Sequence, residues 1–115
     1  MSNKPLWQPL YPEKTQLNHF RTRMEKAFSV DLPDYAALHQ WSVNSPELFW
    51  QGLSDFVDIH WRETPQATFH SGKGQMLGGS WFPGGKLNFA ENLLRNRGDK
   101  VAIVAKLENG ARTKT

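Results

Sequence analysis

Thr15-Gln16-Leu17-Asn18-His19-Phe20-Arg21-Thr22-Arg23-Met24-Glu25-Lys26-Ala27-Phe28 sets the character of this chain. Leu17, Phe20, Met24, Ala27 and Phe28 recur at spacings of three and four, which puts them on one face of an α-helix. Thr15 is placed to cap it. Asp31-Leu32-Pro33 marks a stop beyond it, because proline biases the residue before it away from helix. On the N-terminal side, Pro5, Pro9 and Pro12 predict an extended lead-in.

Working toward the C-terminus, a second helix is predicted over 34–43. Asp34 can accept the free N–H groups of its first turn, and Tyr35, Leu38, Trp41 and Ser42 share a face. Ser45-Pro46-Glu47 then reads as a third helix start: serine to cap, proline at a position that needs no N–H, and glutamate beside the positive end of the dipole. That helix, about 46–57, aligns Phe49, Trp50, Leu53, Phe56 and Val57. Asp58 to Gly79 reads as a long irregular connection rich in His, Thr, Pro, Ser and glycine, with Phe69, Met76 and Leu77 as its anchors. Trp81-Phe82-Pro83-Gly84-Gly85 is a turn that delivers two rings to a packing surface. A short helix over 89–97 follows, capped by Asn88 and closed by Gly98. Val101 to Leu107 has the composition of a buried strand, Asn109-Gly110 is the strongest hairpin signal in the chain, and Arg112 to Thr115 is half of a return strand. The expected fold is therefore mainly α with a C-terminal β-hairpin: three to four short helices, a long irregular linker and a final hairpin. Since a lone hairpin is marginal in water, a chain ending this way reads as an excerpt of a longer fold.

With 115 residues, one small domain or a piece of one is the limit. Apolar residues are only 38%, yet five tryptophans and seven phenylalanines bring large surfaces that need cover. A partner surface, in cis or in trans, is expected to supply part of it. The net charge of +3 is spread over Arg21, Arg23 and Lys26, then Arg95, Arg97 and Lys100, then Lys106, Arg112 and Lys114. This reads as solvated helical faces, because nucleic-acid binding asks for clustered cations and a recognisable module. Cysteine is absent, which excludes thiol catalysis, Cys-ligated zinc and disulfides. Met1 to Leu10 lacks the apolar core of a signal peptide, and no run approaches a membrane span, so a cytoplasmic location is expected.

Ser80 to Leu87 resembles a phosphate-binding loop at Gly85-Lys86, but Ser80 replaces the first glycine and Leu87 replaces the hydroxyl residue. His19, His39, His60 and His70 lack the spacing that brings two imidazoles to one metal ion. His70-Ser71 suggests a nucleophile with no orienting acid. Phe49, Trp50 and Phe56 have the rings to stack nucleobases, but their helical spacing favours a core. No catalytic, cofactor-binding or metal-binding residue is expected in this segment.

Three passages taken together carry a resemblance. Leu6-Trp7-Gln8-Pro9, the run Asp34-Tyr35-Ala36-Ala37-Leu38-His39-Gln40-Trp41-Ser42-Val43 with Pro46-Glu47-Leu48-Phe49-Trp50, and the run from Trp81-Phe82-Pro83-Gly84-Gly85-Lys86 through Leu87-Asn88-Phe89-Ala90-Glu91-Asn92-Leu93-Leu94 match in order and spacing. They resemble the amino-terminal region of the acetoacetyl-CoA synthetases, within the acetyl-CoA synthetase-like adenylate-forming family. The resemblance implies a ligase that activates a carboxylate with ATP as an acyl-adenylate and passes it to coenzyme A, with ATP, magnesium and coenzyme A serving the full-length enzyme. It also implies that the ATP-contacting loop, the adenylate motif, the ribose-binding aspartate and the catalytic lysine lie further along. On that reading, residues 1–98 are the N-terminal helical segment and 99–115 the opening hairpin of an AMP-binding domain. The segment is inactive alone, and its partner is the adenylate-forming domain, with no nucleic acid and no membrane. The competing reading is a free-standing interaction module that docks through its aromatic face.

Overall fold

The computed structural model describes residues 4–72 and 78–115. After a short 3-10 turn at Pro12–Lys14, three helices follow: α1 (Gln16–Phe28), α2 (Tyr35–Asn44) and α3 (Pro46–Phe56). Thr15 accepts from the Asn18 amide at 3.3 Å and Asp34 from the Ala37 amide at 2.8 Å, so both caps act as their sequence implies. Ser45 differs. Its side chain makes no cap bond; instead its own N–H donates to the Trp41 carbonyl (2.8 Å) and its carbonyl accepts from Phe49 (3.0 Å). One residue thereby closes α2 and opens α3 through its backbone, which leaves the hydroxyl without a capping role.

The core sits between these helices. Phe20, Met24, Leu38 and Trp41 are buried, with Phe28, Val30, Phe49, Leu53 and Phe56 packed against them. Phe20 meets Phe49 and Phe56 edge-on at 5.7 and 5.3 Å, a favoured geometry for aromatic quadrupoles. Leu17, Ala27, Tyr35, Trp50 and Val57, expected on the same faces, remain exposed. Leu32 joins the core instead, and the reason is polar. The Arg21 guanidinium donates to the Leu32 carbonyl, and Glu25 accepts the Leu32 amide at 2.9 Å, so the loop after α1 is drawn inward. Arg21 is thus no solvated cation, and Arg23 lies 5.8 Å from the Phe56 ring centre. Among the described residues, no helix is long and apolar enough to cross a membrane.

The connection after α3 is more ordered than its composition suggests. Strand β1 (Trp61–Glu63) pairs antiparallel with β4 (Lys86–Leu87), and β2 (Phe69–His70) with β3 (Ser80–Trp81). Between them Gln66 donates to Pro83 (2.9 Å) and Phe82 to Thr68 (2.7 Å), which joins the pairs into one interrupted ribbon. The irregular linker expected from 58 to 79 is corrected accordingly. Its pairing partner lies across the Met76 and Leu77 region, which falls outside the described residues, so the local composition carried no sign of it. Pro83 and Gly84 (φ +77°), with Gly85 donating to the Phe82 carbonyl at 3.0 Å, make a turn of type II form, and Gly84 takes the positive φ that form requires. Trp81 lies 4.4 Å from the Phe69 ring and 5.9 Å from Trp50, and Phe82 lies 5.4 Å from Trp61.

Helix α4 (Phe89–Leu93) and the hairpin of β5 (Val104–Lys106) and β6 (Arg112–Lys114) complete the chain. The architecture is mostly helical, four helices among the described residues with small two-stranded sheets that include a C-terminal hairpin.

Candidate docking surface

The run Lys86 to Arg95 builds a surface whose polar side faces the chain and whose apolar side faces out. Asn88 caps α4 by accepting from the Glu91 amide at 3.0 Å. Asn92 grips the backbone of His60 at both ends, accepting its N–H (2.8 Å) and donating to its carbonyl (3.1 Å). Glu91 pairs with Arg62 at 3.1 Å and Lys86 with Glu63 at 2.7 Å. Arg95 donates to the carbonyls of Val57 (2.8 Å) and Asp58 (2.6 Å) at the C-terminal end of α3.

That last contact explains a shorter helix than the 89–97 expected. The final carbonyls of any helix lack intrahelical partners and carry partial negative charge, so they attract a guanidinium. For Arg95 to reach them the chain leaves helical geometry at Leu94 (φ −98°, ψ 22°). Gly98 is then no helix cap but an open turn residue at φ +146°.

With its polar residues turned inward, α4 presents Phe89 (75% exposed) and Leu93 (66%) one turn apart, with Leu94 beside them. The hairpin continues the pattern. Three-residue turn geometry with Gly110 at φ +82° links its strands. Alternation puts Ile103, Ala105 and Leu107 on one side with Thr113, and Val104, Lys106, Arg112 and Lys114 on the other. Val101 to Leu107, expected to be buried, is exposed throughout. From Lys86 to Thr115 every residue except Asn92 is exposed. At the other end, Leu6, Trp7, Leu10 and Tyr11 are exposed as well, and Trp7 edges an open groove of about 490 Å³ with Pro9, Leu17, Tyr35 and Leu38.

Bulk dimensions agree. The chain exposes 10078 Å², whereas a compact monomer of this mass exposes about 6,400 Å². Its radius of gyration is 19.5 Å against about 13 Å for a compact domain of this length. The excess, about 3,700 Å² on this chain alone, is well above the roughly 800 Å² per partner that a standard interface buries.

The residues weighed for chemistry are dispersed. His19, His39, His60 and His70 stand on different elements: His39 is stacked against Tyr35, His60 lies 3.6 Å from Asp58, and His70 pairs with Ser80. Among the described residues no group of three His, Cys, Asp or Glu side chains is arranged to hold a metal ion. Ser80 to Leu87 forms one side of the ribbon, β3 and β4 with the turn between them, and Lys86 donates to Glu63. Phe49 and Phe56 pack in the bundle, which leaves Trp50 alone of that trio at the surface. The α4 contacts were not read from the sequence. Asn92 and Arg95 reach His60, Val57 and Asp58 across more than thirty residues, and only the repeated polar spacing at Asn88, Glu91, Asn92 and Arg95 hints at a second face.

Residues 35–93, from the first residue of α2 to the last of α4, match the family model described as the acetyl-coenzyme A synthetase N-terminus. The chain is 35% identical over 109 residues to an acetoacetyl-CoA synthetase of Xenopus tropicalis and 37% identical over 109 residues to one of Danio rerio, in each case over 94% of this chain and 16% of the relative. A solved structure of acetoacetyl-CoA synthetase from Streptomyces lividans superimposes with a TM-score of 0.69 at 25% identity, covering 88% of this chain and 16% of that one. The chain thus spans about one sixth of the length of the curated relatives it matches.

Proposed function

The chain belongs to the acetyl-coenzyme A synthetase N-terminus family, and from that premise we propose that it is the covering segment of an acyl-CoA ligase that makes acetoacetyl-CoA. The reaction joins acetoacetate to ATP as an acyl-adenylate with release of diphosphate, then transfers the acyl group to the thiol of coenzyme A with release of AMP. In this reading ATP, magnesium and coenzyme A are held by the rest of the ligase, and this segment supplies no catalytic, cofactor-binding or metal-binding residue. Residues 1–98 form the helical layer and 99–115 open the adenylate-forming domain. The cytoplasm, where ATP and coenzyme A are available, is the proposed location.

The observation that carries the reading is the exposed apolar area from Lys86 onward. Burial of apolar surface stabilises by roughly 25 cal/mol per Å², so Phe89, Leu93, Leu94, Val101, Ile103 and Leu107 are costly to leave in water and favourable to cover. In the relatives most of the chain lies outside the match, and in this reading that remainder is what covers them. The segment's task is then to hold the large domain in shape.

The test is a chimera in which this chain replaces the matching segment of the Danio rerio enzyme. The expected result is acetoacetate-dependent formation of acetoacetyl-CoA by the chimera, and none by this chain alone or by the Danio enzyme with the segment deleted. Acetoacetyl-CoA formation by the isolated chain would overturn the assignment of an inert covering role. A chimera no more active than the deletion would remove the ligase reading in favour of a free-standing module.

A further inference from the structure

Helix α4 is too short to persist by itself, since fixing the first turn of a helix costs more than its few hydrogen bonds return. Its order comes from contacts outside it: the Asn92 grip on His60, the Arg95 fork on Val57 and Asp58, and the Arg62–Glu91 pair. Those contacts use up the polar side of the run and turn Phe89 and Leu93 outward. The charges beside the stripe are paired within the chain, Glu91 with Arg62 and Lys86 with Glu63, with all four side chains exposed. The outward side of α4 is an apolar ridge tied to the chain by these polar contacts.

We infer that Phe89 and Leu93 are the anchors by which this segment docks on an apolar patch of the adenylate-forming domain, and that Asn92 and Arg95 are positioning residues that hold the anchors in the docked pose beforehand. The inference rests on the docking reading above. It commits to that occupant because most of each relative's chain lies outside the matched part, and because the chain leads on from the ridge to the β5–β6 hairpin, whose residues are likewise exposed, at the start of the proposed next domain. Two aromatic or aliphatic anchors entering a complementary surface carry most of the energy of such contacts. Pre-setting them removes the ordering cost that otherwise weakens docking in proportion to the fraction of molecules correctly posed.

Amide hydrogen exchange on the Danio rerio chimera, with the isolated 115-residue chain as reference, separates the parts of this inference. The α4 amides are expected to exchange at least about 30-fold more slowly in the chimera than in the isolated chain, and Phe89→Asp to abolish that protection. Arg95→Ala is expected to cost about tenfold of it while leaving α1, α2 and α3 unchanged. When added to Phe89→Asp, Arg95→Ala should speed α4 exchange by no more than it does in the isolated chain, because a preset pose adds nothing to docking once its anchor is gone. An unprotected α4 in the parent chimera would bring down the docking reading itself. Protection that survives Phe89→Asp would remove the anchor role. Protection untouched by Arg95→Ala, or an equal acceleration throughout α1 to α3, would remove the positioning role. If α4 in the isolated chain becomes protected as concentration rises, a second copy is the occupant and the inference is overturned.

Discussion

The three-helix bundle and the stretch from Lys86 onward carry apolar residues at comparable density, yet they meet opposite fates. In the bundle, Phe20, Met24, Leu38 and Trp41 close on one another with the rings of Phe28, Phe49 and Phe56 around them. Past Lys86, Phe89, Leu93, Ile103 and Leu107 face outward, and the polar residues Asn92 and Arg95 hold the chain together. A bundle can fold on contacts it already contains. In the covering role proposed above, the second stretch is finished only by what it covers, and its polar and apolar sides are distributed for a surface elsewhere. Inversion of an amphipathic pattern is therefore a positive sign of a missing neighbour, more specific than exposed apolar area alone.

Three substitutions in the isolated chain break or sharpen that contrast. The largest effect belongs to Phe20→Ala, which removes a ring that is 5% exposed and contacts both Phe49 and Phe56. It should cost about 3–5 kcal/mol, enough to erase the urea transition followed by circular dichroism at 222 nm. A small loss would mean that the bundle is no more closed than the rest. Asn92→Ala should cost about 1 kcal/mol, and the cost should stay local: α4 amides exchange about fivefold faster while the bundle's urea midpoint holds. A shift of that midpoint would join the two regions into one cooperative unit. Phe89→Ser is expected to change stability by less than about 0.5 kcal/mol, although it removes a ring as large as Phe20, because that ring touches water in both states. A clear loss would show that the stripe is covered within this chain.

Legibility followed range in sequence. The bundle helices, the caps at Thr15, Asp34 and Asn88, and the turn at Asn109-Gly110 all rest on contacts within a few residues, and all were readable. Leu32 was not, because it enters the core only through Arg21 and Glu25, a helix turn or more upstream. The ribbon of 61–70 with 80–87 was not, because two-residue strands with glycine and proline between them have no periodicity to detect. Ser45 showed the limit of local rules: residue type announced a cap, and backbone geometry at the α2–α3 junction used its N–H and carbonyl instead. Of the candidate docking surface, the motif from Trp81 to Leu94 was visible as a string, whereas its division into a polar gripping side and an exposed apolar side was not.

By itself, the amino-acid sequence determined the helices, the caps at Thr15, Asp34 and Asn88, the closing hairpin and the likeness to a family, since periodicity, capping chemistry and residue order are all written locally. Tertiary structure alone decided which apolar residues are covered. That Leu32 ends in a core and Phe89 at the surface follows from long-range polar ties, Arg21 to Leu32 in one case and Arg95 to Val57 and Asp58 in the other, which orient the backbone there.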